Sequence, residues 1–158
     1  MMKYFVKVVG LAAVLAIGAT GVAYADGHLA KAVKARQAWM QILVFNLGNL
    51  GAMAKGDVAY DAAKATDFAN NLVAATSMKN AAMWPAGSGN DKLGDKTRAK
   101  PEIWTSFPEV AKHLKNLSAA SQELAKVAGN GVDDLKGGVG GVGKNCGACH
   151  KPFRAKKK

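Results

Sequence analysis

Near its end the chain places Val132, Leu135, Val139, Val142, Cys146, Cys149 and Phe153 at alternating steps of three and four. That spacing lines side chains along one seam of an α-helix packed in a bundle. It carries both of the chain's cysteines into the seam. A first segment, about Gly27 to Ala54, repeats the pattern with Leu29, Val33, Arg36, Met40, Leu43, Leu47 and Leu50. A second, about Tyr60 to Lys79, puts Ala65, Phe68, Leu72 and Ala75 on one face. A third begins at Ser106-Phe107-Pro108-Glu109, a capping-box pattern with proline suited to the first turn. It continues through Val110, Leu114, Leu117, Ser121 and Leu124 to Gly129-Asn130-Gly131. Strand alternation and internal repeats are absent from the sequence. The expected fold is all-α: an antiparallel four-helix bundle with two short connections and one long one.

Two stretches qualify that expectation. Met83 to Pro101 holds three glycines and two prolines, so it reads as a long loop without regular helix. The last helix carries Gly137, Gly138, Gly140, Gly141 and Gly143, each costing about 1 kcal/mol relative to alanine. Something beyond backbone propensity must hold that helix: a close neighbour or a covalently attached group. Pro152 should kink or end it.

The N-terminus has Lys3 and Lys7, an apolar run from Val8 to about Ile17, and Ala23-Tyr24-Ala25. This is the form of a secretory signal peptide, residues 1–25, leaving a single domain at 26–158 with no integral membrane span. Cleavage removes two lysines and takes the formal charge of +11 to +9. Export to the periplasm argues against nucleic acid as the partner of this charge. An acidic protein or a membrane surface fits it better. The terminal Arg154-Ala155-Lys156-Lys157-Lys158 reads as a solvated tail.

Cys146-Gly147-Ala148-Cys149-His150 is the attachment pattern for a c-type haem. Thiols three apart share one side of a helix and can add to two vinyl groups of one porphyrin. The next residue's imidazole is then held at the iron. Zinc would need His28 and His113 to converge as well. A thioredoxin-type redox pair expects a preceding strand. A plain disulfide in an oxidising compartment leaves His150 without a role. One covalently attached haem c is the reading that uses all three residues.

With these residues the chain resembles the class II c-type cytochromes, the cytochrome c′ family. The resemblance covers all of 26–158. It rests on the attachment site near the C-terminus, the Cys149-His150-Lys151-Pro152-Phe153-Arg154 ending, Val33 to Met40 in the first helix, and the two tryptophans, Trp84 and Trp104, of the long loop. It implies that His150 is the proximal iron ligand, that Met40 points at the distal iron face, and that Arg36 meets a haem propionate. By spacing alone Met40 reads as an ordinary core methionine, and Arg36 could instead reach solvent at the bundle edge. The family includes both closed His/Met iron and five-coordinate iron crowded by its distal residue.

The function expected is therefore non-enzymatic: a periplasmic carrier of single electrons, ligated by His150 and Met40, exchanging with redox proteins of acidic surface. The alternative is a five-coordinate protein that binds nitric oxide or carbon monoxide. Met53 lies too far along the first helix to replace Met40. Met83 is expected to pack the loop, and Trp104 to fasten it to the bundle. His113 reads as a surface histidine and His28 as a residue of a frayed start. Arg154 is placed near the proximal face or in the tail. Trp39 and Phe45 lie off the main seam, so they serve either a homodimer contact or the core.

Overall fold

A computed structural model of the chain describes residues 18–157, with side-chain positions from Gly27 onward. Four long helices dominate: α1 (Gly18–Lys55), α2 (Ala62–Thr76), α5 (Phe107–Val127) and α6 (Val132–Phe153). Two single-turn helices, α3 (Asn90–Leu93) and α4 (Glu102–Thr105), lie in the long connection. The expected export segment, 1–25, falls outside the described residues up to position 17. Its positions 18–25 form the first turns of α1, so this helix begins earlier than the sequence pattern suggested.

α1 packs on α2 and α6, and α5 packs on α2 and α6, so the four helices form a closed ring. Short connections make sequential neighbours antiparallel. Tyr60, just before α2, donates its hydroxyl to the Ala128 carbonyl at the end of α5 (2.9 Å). That contact sets α2 and α5 antiparallel as well. The core is the meeting of the expected seams: Leu43 and Leu50 from α1, Leu72 from α2, Leu117 and Leu124 from α5, Leu135 and Val142 from α6. Fully burying a leucine or valine contributes about 1.5–3 kcal/mol. Met53 is a core residue beside them, at 4% exposure.

Local signals hold unevenly. Asp61 caps α2 by accepting from the Lys64 amide (3.0 Å), a bond that lowers the carboxyl's pKa. The capping box at α5 does not form. Ser106 closes α4 and opens α5 at φ −125°, ψ 36°, and its side chain makes no cap bond. One residue serving two helix ends cannot also adopt the extended backbone a capping serine needs. Helix α3 shows that the loop's glycines bound a short turn without excluding it. Pro152 lies one residue before the last residue of α6, so it ends the helix without a mid-helix break.

The glycines of α6 divide into two kinds. A Cβ on Gly138 would lie 2.5 Å from Leu124 Cδ1 and 3.2 Å from Leu124 Cα, so α5 and α6 touch backbone to backbone here. Gly137, Gly140, Gly141 and Gly143 would meet nothing within 4 Å.

The chain's end is not a loose tail. Ala99 and Arg154 form an antiparallel bridge. The Lys100 amide donates to the Phe153 carbonyl (3.0 Å), the Ala155 amide to the Arg98 carbonyl (2.9 Å), and Arg98 Nε to the Ala155 carbonyl (2.7 Å). The expectation of a solvated tail is thus corrected for Arg154 and Ala155, whose backbone is paired with the loop. Lys156 and Lys157 beyond them are exposed.

Candidate functional site

The long seams are not uniformly buried. Met40, Leu47, Leu114, Cys146 and Cys149 are only half-buried. All five line one cavity of about 60 Å³, which also touches Leu43, Val44, His113, Leu117 and His150. The seams open here because the side chains that should meet across the bundle stand apart. The lining is almost wholly apolar. Helix α1 supplies Met40, Leu43, Val44 and Leu47, opposite Cys146, Cys149 and His150 of α6.

A second, more open cleft of about 250 Å³ adjoins the first. Met40, Val44 and His150 line both. The second adds Arg36, Trp84, Arg98, Phe153 and Arg154. One end of the bundle is therefore apolar between the helices and cationic at its mouth.

Arg36 is 4% exposed. Its Nη1 donates to the Met83 carbonyl and to Ser88 Oγ (both 3.1 Å). Nη2 donates to the Ser88 carbonyl and to Thr97 Oγ1 (both 3.0 Å). The guanidinium also lies 4.6 Å from the Trp84 ring centre, in cation–π range. Burial lowers its pKa. Four neutral acceptors and an aromatic face hold Arg36 in place, so an anion is not needed for its burial. Its place on the second cleft keeps it within the candidate anion-binding group.

Both thiols are free, and burial pushes both pKa values up. Nearby Arg154 partly offsets this at Cys146. His150 is shifted down, first by burial and then by the positive charges of Arg154 and Arg98. The imidazole is thereby kept neutral, with a lone pair for a metal. Arg154 shares the second cleft with His150, the residue expected to be the proximal ligand.

His113 corrects an expectation. It is not a surface residue: it lines the apolar cavity, packs edge-to-face on Phe153 at 6.1 Å between ring centres, and its side chain is 17% exposed. Glu109 Oε1 stands 3.7 Å from Nε2, beyond hydrogen-bond range, so Nε2 is buried with no hydrogen-bond partner among the described residues. The signal was available, since His113 falls three residues after Val110 and four before Leu117. Trp39 is likewise core, 2% exposed, with Nε1 donating to the Ala75 carbonyl (2.8 Å), so it is not available to a dimer contact. Phe45 is 64% exposed. Met83 packs on the core and gives Arg36 its carbonyl, while Trp104 Nε1 donates to the Trp84 carbonyl (3.0 Å). Among the described residues no three His, Cys, Asp or Glu side chains converge to hold a lone metal ion, so the zinc alternative has no support.

A flat, apolar group with acidic arms fits these surroundings. The two sulfurs and His150 lie within five residues of α6 along the apolar cavity. In the cationic cleft, Trp84 keeps a buried indole Nε1 with no partner, beside Arg36, Arg98 and Arg154. A carboxylate would satisfy that donor and charge.

The family model for cytochrome c′ matches residues 31–154. The chain belongs to the cytochrome c′ family. It is 34% identical over 149 residues to the cytochrome c′ of Allochromatium vinosum, covering 92% of this chain and 94% of that one. Its fold superposes on the cytochrome c′ of Rhodobacter spheriodes with TM-score 0.79 at 32% identity, over 82% of this chain and 98% of the other. A cytochrome c′ described by its ligand-controlled dimer dissociation gives TM-score 0.74 at 30% identity, over 81% and 97%. A ferrous variant of the Alcaligenes xylosoxidans protein, with NO bound, gives 0.69 at 28%, over 80% and 94%. Proteins of this family bind one covalently attached haem c, which Cys146 and Cys149 would hold here with His150 at the iron. None of the described helices is long and apolar enough to cross a membrane.

Proposed function

We propose that the chain is an exported monohaem protein that binds small uncharged gases, nitric oxide or carbon monoxide, on the iron face opposite His150. The observation that carries this reading is the cavity wall supplied by α1: Met40, Leu43, Val44 and Leu47, without a charged or hydrogen-bonding side chain. Such a wall repels water and ionic ligands and admits a diatomic gas. The NO-bound relative from Alcaligenes supports it. Haem, when bound, would supply an iron centre able to take a diatomic gas. His150, kept neutral by burial and by the two nearby arginines, would ligate that iron. Cys146 and Cys149 would fix the group covalently. Arg36, Arg98, Arg154 and Trp84 Nε1 offer the propionates their counter-charge and donor. We read the protein as a binder and carrier, not an enzyme, because α1 brings no acid–base residue to the site.

A second reading keeps single-electron carriage, with the Met40 thioether as the distal ligand. It is supported by Met40 lining both clefts together with His150. An optical spectrum with and without carbon monoxide separates the two. A high-spin spectrum that shifts on adding the gas supports the open site. A low-spin spectrum with no response overturns it in favour of Met40 ligation.

The periplasm is the proposed compartment, on the pattern of residues 1–25; a mature protein beginning at Asp26 by mass spectrometry is the expected result. A homodimer is proposed through the outer face of α1. Ile42 and Phe45 are 50% and 64% exposed there, and Phe45 packs edge-to-face on Phe68 at 6.1 Å.

A further inference from the structure

Arg98 of the long connection and the terminal lysines are far apart in the chain and together in space. A depression of about 570 Å³ is lined by Asn90, Asp95, Thr97, Arg98, Lys156 and Lys157. Arg98 also lines the cleft that holds His150 and Arg154. The depression and the mouth of that cleft are thus one continuous surface. Arg98, Arg154, Lys156 and Lys157 are exposed on it, and among the described residues Asp95 is the one acid lining either hollow.

This surface is built and held. The bridge between Ala99 and Arg154, and the bonds joining Arg98 to Ala155, fix the backbone that bears Arg98 and Arg154, and Lys156 and Lys157 follow directly on it. Lys100 Nζ adds a bond to the Pro152 carbonyl (2.9 Å). A free tail would lose conformational freedom on docking, and the strap as far as Ala155 has already given up that freedom.

We propose that this strap-and-loop face is the docking surface for an acidic protein that exchanges one electron with the haem. The inference rests on the haem reading above and adds the place of contact. The charge is complementary to an acidic partner, and it lies at the mouth of the cleft containing His150. A transfer at this face moves one electron from the partner's centre to ferric iron, giving ferrous iron and the oxidised partner, with no proton moved. Clustered cations at the point of transfer raise encounter rates by steering, an effect that salt removes.

The test uses the haem-loaded protein and a reduced acidic [2Fe–2S] ferredoxin as the electron donor, mixed in a stopped-flow instrument without oxygen. The variant Lys156→Glu with Lys157→Glu reverses two charges on exposed residues outside the haem cavity. The control, Lys126→Glu with Lys136→Glu, makes the same change in net charge at the far ends of α5 and α6. At low ionic strength the first pair is expected to slow haem reduction about tenfold, and the control less than twofold. In about 1 M salt the difference should vanish, since the Debye length there is about 3 Å. Equal rates in the two double variants, with the haem spectrum intact, overturn the docking face alone. Colourless protein overturns the haem reading and this inference together. Cosedimentation with anionic phospholipid vesicles that is lost only in the Lys156/Lys157 variant assigns the face to a membrane and overturns the protein partner.

Discussion

Arg36 of α1 donates from Nη2 to Thr97 Oγ1 at 3.0 Å, joining two residues 61 positions apart in the chain. With the bonds to Ser88 and Met83, this single guanidinium ties the long connection to the bundle. Replacing it by leucine leaves four acceptors without their donor. The expected cost is about 3 kcal/mol in urea unfolding, with faster amide exchange between residues 85 and 99. Arg36→Lys should not restore stability, because one ammonium cannot occupy both forks of the contact. Full recovery by lysine would show that charge alone matters.

Gly138 and Gly140 make opposite predictions from the same substitution. Alanine at Gly138 meets Leu124 backbone at 3.2 Å, so α5 and α6 must separate. Overpacking of this kind costs about 1–3 kcal/mol and outweighs the helix-propensity gain of about 1 kcal/mol. Alanine at Gly140 meets nothing and should stabilise by about 0.5–1 kcal/mol. Thermal melts of the haem-loaded variants should therefore move in opposite directions. A shared direction would refute the backbone contact.

Met40→Ala tests the wall of the cavity. If the site is open, the carbon monoxide complex still forms in the variant, and its association rate rises because the crowding side chain is gone. Under Met40 ligation, the variant converts an unresponsive low-spin spectrum into a gas-sensitive one. An unchanged spectrum and unchanged gas kinetics would remove Met40 from both roles.

Chain made without haem attachment should hold its thiols in the protonated form. Burial raises the pKa of Cys146 and Cys149 above the ordinary thiol value. Alkylation by iodoacetamide at pH 7–8 should then be slower than in an unfolded peptide spanning residues 144–153. The thiols' contribution to stability is fully present below the unfolded thiol pKa of about 8.5, and is lost as pH rises through the higher folded value. Serine at both positions should flatten that alkaline loss. An alkylation rate equal to the peptide's would contradict thiol burial.

Trp84→Phe keeps the ring over Arg36 and deletes the orphan indole donor. Haem-loaded variant should show a stability loss of about 1.5–3 kcal/mol relative to wild type, the worth of one hydrogen bond to a charged acceptor. The same substitution in haem-free chain should be neutral or slightly stabilising, since it removes an unsatisfied buried group. Identical effects in the two forms would mean that the donor has no partner in either.

The four long helices were legible because the buried seam positions, Arg36 and Ser121 apart, carry apolar side chains at helical spacing, and the attachment residues announce themselves by order alone. What escaped was tertiary. Ser88 and Thr97 lie in a stretch without periodicity, so nothing local marks them as acceptors for Arg36. The capping pattern at Ser106 failed because a neighbouring helix, α4, ends on the same residue. His113 was misread because its polarity outweighed its position on the apolar face. Trp39, off the seam drawn for α1, is core because α2 offers it the Ala75 carbonyl. The basic ending looked like a tail because strand pairing across 55 residues leaves no trace in either partner's composition.

The bridge from Ala99 to Arg154 also couples two openings. Lys100 and Arg98 find their backbone partners at Phe153 and Ala155, so unravelling the end of the cysteine-bearing helix must free an amide and a carbonyl of the distant loop as well.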